Sequence, residues 1–369
     1  MRVHQGLIVL LERLRRPPWL QKAIRTGLAV APGLAWWAAT GDALGVTFSF
    51  ASLCLSVAYG DASFTGRHLA IMAVLAALLL PGATWIEARP FVCVPVIMAA
   101  MVVVVLVRRR TEVPDRMTNW LLIFLLYQAS ELSGEGIAAS LRPAALIPPA
   151  AVWTWIVCFL LWPGRGVEPA RTSKSAQPAA AAVMSVPRHA ICAALATGAA
   201  ASAAFLLHLS HVNWAIWSAI TVVQSGAGAS LVKSIKRVIG GAFGCALGIL
   251  LLTVLHAVPW LLAAVTAVLV FLMVAPEFYT LAVAIRSALA VLAGAALDGN
   301  GAAAGLARIE NIAIGVALAL LFVTLLTPRP APADPSSPRP PGPATIPASH
   351  RRPRFRRSNA RERARARNG

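Results

Sequence analysis

Residues Trp214–Leu251 read WAIWSAITVVQSGAGASLVKSIKRVIGGAFGCALGILL, and the character of the chain changes three times within them. An apolar run that opens on tryptophan ends at Gln224 and Ser225. A Gly/Ala/Ser turn and a basic segment (Lys233, Lys236, Arg237) follow, and a second, glycine-rich apolar run begins. A helix needs roughly 17–25 apolar residues to cross a hydrocarbon core of about 30 Å. Two apolar runs joined by a polar, basic turn therefore predict a helical hairpin in a bilayer.

The rest of the chain repeats this pattern. Runs of suitable length and polarity lie near 24–40, 43–59, 68–86, 90–107, 117–133 and 142–162. Six more lie near 188–209, 212–227, 237–256, 258–275, 277–297 and 307–327. The second run of each half is short, and Pro-containing runs are expected to kink. Of the 369 residues, 58% are hydrophobic and only 13% charged, where soluble domains carry about a quarter charged residues. Alternating strand-like segments are absent, which excludes a membrane barrel. The expected fold is all-α: a polytopic membrane protein of about twelve transmembrane helices arranged as two parallel six-helix repeats. The expected divisions are 1–163 for the first repeat, 164–187 for a cytosolic connector, 188–327 for the second repeat and 328–369 for a disordered basic tail. Residues 1–20 predict an interfacial amphipathic helix ahead of the first span.

The formal net charge of +19 suggests nucleic acid until its distribution is read. The tail holds 11 Arg against Asp334 and Glu362, in a Pro/Ser-rich context that cannot build a core. Lying on anionic lipid suits it better than specific nucleic-acid binding, which is not expected. With the N-terminus in the cytosol and twelve crossings, all but four of the 33 Lys and Arg fall on the cytosolic side. The exceptions are Arg89, Arg142 and Arg308 at outer edges and Arg286 inside a span. The positive-inside rule thus places both termini in the cytosol.

Landmarks in the two halves recur at near-constant spacing. Ala62-Ser63 and Ala229-Ser230 stand 167 apart, Arg142 and Arg308 stand 166 apart, and Pro163 and Pro328 stand 165 apart. An even number of spans per unit makes this a parallel repeat about an axis along the membrane normal.

The aromatic-led run, the Val-Gln exit, the small-residue turn and the basic entry into a Gly-rich run resemble the fusaric acid resistance (FUSC) family of aromatic acid exporter-like membrane proteins. RIENIAIGVALALL (Arg308–Leu321), with its opening Arg and Gly315, resembles that family's last span. The resemblance is better over the second half than the first. It implies a multi-pass protein of the bacterial inner membrane that exports small, mostly aromatic carboxylic acids, driven by the membrane gradient. It also implies a distant likeness to plant malate channels, which build a pore from paired six-helix units. The chain departs from the family in joining its halves through a short connector, where a large cytosolic domain is common.

Arg286 sits mid-run in PEFYTLAVAIRSALAVLAGAAL. A mid-span Arg costs roughly 2.5–3.5 kcal/mol on insertion scales, so it should face the bundle interior or a wet cavity. It would attract a carboxylate; an ion pair with Glu277, Asp298 or Glu310, or snorkelling, is the alternative. Its counterpart under the repeat lies near Asn119 or Trp120. Gln224 and Ser225 precede a Gly-rich break that could offer N–H groups to an anion, or merely a tight turn. Lys233, Lys236 and Arg237 share a helical face, as a funnel for acids or as charges that set orientation. Asn119 and Gln128 are further pathway candidates, and Glu131 and Glu310 are proton-coupling candidates that could equally be span-end charges. His208 and His211 lack ligand companions, so neither a metal nor a cofactor is expected. The five cysteines lack ligand or disulfide spacing and read as buried thiols. The Trp pairs (36/37, 153/155, 214/217) read as interfacial anchors. Paired metal-binding carboxylates are absent, which argues against an enzyme. Export of an organic anion leads, with an anion channel or a non-transporting membrane scaffold as alternatives. The expected partners are the bilayer, the small anion and, optionally, a second copy in a homodimer.

Overall fold

The computed structural model describes residues 18–59, 64–110, 115–132, 136–160, 184–255, 258–273, 278–298 and 300–328. These form twelve helices without a strand. In the first half they are α1 (Pro18–Thr40), α2 (Ala43–Ala58), α3 (Gly66–Glu87), α4 (Pro90–Arg110), α5 (Asp115–Leu132) and α6 (Ile137–Trp155). A π-helical turn, Ile156–Leu160, continues α6. In the second half they are α7 (Val186–Leu206), α8 (Val212–Val222), α9 (Ala227–Leu255), α10 (Pro259–Leu272), α11 (Tyr279–Asp298) and α12 (Gly301–Leu326). The expected interfacial helix, the Ala62-Ser63 landmark, Glu277, most of the connector and the basic tail lie outside the described residues.

Local chemistry sets the helix ends. Gly41 adopts φ +71 between α1 and α2, a conformation that costs glycine little, and Asp42 then caps α2 by accepting from the Leu44 N–H. Thr65 and His68 form a reciprocal capping box on α3. Asn300 accepts from the Ala303 N–H and starts α12. Proline opens α7 and α10, where a missing N–H is tolerated.

Six helices, α3, α4, α6, α7, α9 and α12, are long and apolar enough to cross a membrane among the described residues. The second helix of each half is short, 16 residues in α2 and 11 in α8. At 1.5 Å per residue α8 extends only about 16 Å, so it ends within the depth of a bilayer. Among the described residues many large apolar side chains face outward and several polar ones lie inside. Leu78, Phe91, Leu206 and Leu325 are exposed, whereas Ser52, Ser218, Asn213, Arg237, Arg308 and Asn311 are buried. That distribution suits a lipid solvent. All five cysteines are free and buried.

In the first half α1 packs on α2, α3 packs on α5 and α6, and α2 packs on α6. In the second half α7 packs on α8, α9 packs on α11 and α12, and α8 packs on α12. The halves meet through α4 on α7, α5 on α8 and α10 on α1. Small residues permit the tightest crossings. Gly240, Gly244 and Gly248 recur every fourth residue along α9, and a Cβ on each would strike the α11 backbone at Thr280, Ala284 and Ala288. Gly315 likewise lets α12 lie against the Ala215 carbonyl of α8. Without a hydrophobic drive between helices in lipid, such close contact is what holds them together.

Candidate functional site

Three arginines from three helices of the second half converge on aromatic side chains. Arg237 of α9 is 3% exposed; its guanidinium donates to the Tyr279 hydroxyl at 3.1 Å and to Ser218 Oγ at 3.1 Å. It also lies 5.6 Å from the Trp217 ring. Arg308 of α12, 4% exposed, sits 4.7 Å from the Trp214 ring and 5.5 Å from Trp217. Arg286 of α11 lies 5.6 Å from Trp120 of α5. Lys233 adds a fourth cation, 5.6 Å from the Tyr279 ring. Arg286 and Arg308 each lie within electrostatic reach of Arg237, and Arg286 stands near the Cys54 thiol of α2. The cluster therefore lies where α8 and α11 meet α2 and α5, between the halves.

Among the described residues no carboxylate bonds to these arginines. The Nε atoms of Arg237, Arg286 and Arg308 are buried without a hydrogen-bond partner. Cation–π contacts are worth about 0.5–2 kcal/mol each and offset only part of the cost of bringing guanidinium groups into the bundle. Three positive charges set against Trp120, Trp214, Trp217 and Tyr279 present chemistry suited to a flat anion.

The structure redistributes several residues. Arg308, expected at an outer loop edge, stands seven residues into α12, because the Asn300 cap and the small-residue stretch that follows extend the helix toward its N-terminus. Arg237, expected at the cytosolic edge, lies ten residues into α9, about 15 Å along it. Lys236 is exposed while Lys233 is half-buried and Arg237 buried, since adjacent positions on a helix project about 100° apart and Lys236 stands at the outer edge of the face it shares with Lys233. The pair Trp214 and Trp217 serves the arginines and not the interface. Gln224 and Ser225 do make a turn: the Gln224 N–H donates to Ser230 Oγ at 3.0 Å, and the Ser225 carbonyl accepts from the Met184 N–H at 2.7 Å. On α5 Asn119 is half-buried and Gln128 buried, while Glu131 and Glu310 are exposed.

Two buried groups escaped sequence reasoning. Glu87, the last residue of α3, is 8% exposed and accepts from the Cys93 thiol at 3.4 Å. Asn213, adjacent to Trp214, is 3% exposed. It lines a small crevice with Ile123, Leu126, Tyr127 and Trp217. Only its place beside a tryptophan at the head of a short span could have drawn attention to it.

Residues 198–322 match a family model described as fusaric acid resistance protein-like. The match covers most of the second half of the chain. No curated protein and no solved structure matches the chain. The fusaric acid resistance-like segment runs from α7 into α12 and contains Arg237, Arg286 and Arg308, all three members of the cluster. The match and the six long apolar helices together indicate a multi-pass membrane protein and point toward membrane transport.

Proposed function

We propose that the chain exports small aromatic carboxylates across the bacterial inner membrane, driven by the membrane gradient, along a path between its two halves. The observation that carries this reading is the convergence of Arg237, Arg286 and Arg308 on tryptophan faces with no bonding carboxylate among the described residues. The arginines supply the charge that a carboxylate needs, and the flat walls suit an aromatic ring. All twelve helices cross in this reading, α8 being continued by the extended segment after Val222, and both termini are cytosolic. Exposed Lys236 then lies toward the cytosolic entrance, and Glu131 or Glu310 carries the coupling proton.

Two features support a duplicated architecture. Helix pairs α1–α2, α3–α5, α3–α6 and α2–α6 recur as α7–α8, α9–α11, α9–α12 and α8–α12, each six helices later. Arg286 and Trp120, 166 residues apart and therefore equivalent under the repeat, face each other. A pseudo-two-fold axis passing between them brings equivalent positions together in this way.

Uptake of radiolabelled benzoate into inside-out vesicles tests the reading. An exporter accumulates label only while a proton gradient is maintained and loses it on adding an uncoupler. Flux that follows the benzoate gradient alone, unchanged by uncoupler, assigns the bundle to an anion channel.

A further inference from the structure

The crevice beside the arginine cluster has the features of a second binding position. Its walls come from both halves: Ile123, Leu126 and Tyr127 from α5, and Asn213 and Trp217 from α8. Asn213 is buried to 3% exposure, and both its amide nitrogen and its amide oxygen lack a hydrogen-bond partner. A side-chain amide offers two N–H donors and an acceptor oxygen. Leaving all of them unmade in a buried site is disfavoured, and buried polar groups ordinarily find partners. An isosteric leucine would fill the same space without that penalty, so helix packing alone does not account for an asparagine here.

The crevice is joined to the cluster by shared walls. Trp217 lines it and also lies 5.6 Å from the Arg237 guanidinium and 5.5 Å from that of Arg308. Tyr127 lines it as well and stands near Arg308. A single indole thus separates a cationic position from a neutral hydrogen-bonding one. A molecule that seats a carboxylate against the arginines and stacks on Trp217 presents its opposite end to Asn213.

We propose that Asn213 and this crevice form a subsite for a neutral hydrogen-bonding substituent, a hydroxyl or amino group, at the end of the anion remote from its carboxylate. The arginines then set affinity for the charge, and Asn213 sets the choice among acids that bear it. This rests on the carrier reading above. Because the amide both donates and accepts, it accommodates either a hydroxyl or an amine, whereas a bare ring edge leaves it unpaired.

Calorimetric titration of the purified full chain in detergent, with benzoate and with its 3- and 4-hydroxy and amino derivatives, tests the proposal. The wild type should bind the best substituted acid about tenfold more tightly than benzoate, the effect of one or two neutral hydrogen bonds. Asn213→Leu should abolish that preference while leaving benzoate affinity within about twofold. Ile123→Phe, which fills the crevice from α5 and leaves Asn213 in place, should do the same and guards against misfolding of the first variant. Equal wild-type affinity for substituted and unsubstituted acids, or a preference that survives both variants, overturns the subsite alone. Failure of the wild type to bind any of these acids overturns the carrier reading and the subsite with it.

Discussion

Replacing Arg286 with leucine separates a binding role from a structural one. On insertion scales a mid-span Arg costs about 2.5–3.5 kcal/mol, and a Leu contributes about 0.3–0.6 kcal/mol favourably. The change therefore favours the inserted state by roughly 3–4 kcal/mol unless Arg286 is held by an opposite charge. Its neighbours are Trp120, Tyr279, Cys54 and the like-charged Arg237, and a cation–π contact returns at most about 2 kcal/mol. Arg286→Leu should accordingly accumulate in the membrane at wild-type levels and melt at the same or a higher temperature in detergent. Binding should suffer instead. A hydrogen bond to a charged group contributes about 1.5–3 kcal/mol, so benzoate affinity should fall by roughly 10- to 150-fold. Thermal-shift and calorimetric measurements on the same preparation read both quantities. Breaking a buried ion pair costs about 3–5 kcal/mol, so a variant that vanishes from the membrane or melts well below wild type refutes the reasoning. A stable variant with unchanged benzoate affinity does so equally.

Three further outcomes follow from the packing and the charge distribution. Gly244→Val drives a side chain into the Ala284 backbone of α11 and should destabilise the bundle by about 1–3 kcal/mol, read as a lowered melting temperature. Gly82 is exposed, with open space where a Cβ would stand, and should tolerate alanine with no drop in that temperature. Reporter fusions placed in the 164–178 connector and after residue 340 should both report the cytosol, and opposite locations would require an odd number of crossings between them.

Hydropathy made the fold legible because a helix in lipid must bury its own backbone polarity, so each crossing leaves an apolar run of set length. The short α2 and α8, the turn after Gln224 and the apolar exterior all follow from that constraint. Depth within a span was less legible. Arg308 follows Gly301–Ala307, mostly small residues that suit a loop edge as well as a helix, and the Asn300 cap decides between them. Arg237 groups with two lysines in sequence, although the rotation of α9 sends Lys236 outward. Trp214 and Trp217 match interfacial anchors by position, and their role emerges only once α9 and α12 bring arginines over them. Glu87 and Asn213 carry no spacing signal at all, since their burial depends on helices distant in sequence.

Counterflow of labelled benzoate in proteoliposomes tests the central claim most directly, because only purified protein and lipid are present. Vesicles holding the wild type and preloaded with unlabelled benzoate should take up label transiently and saturably, and vesicles holding Arg286→Leu should not exceed protein-free liposomes. Wild-type vesicles indistinguishable from protein-free ones, or equal uptake by wild type and variant, would contradict the account.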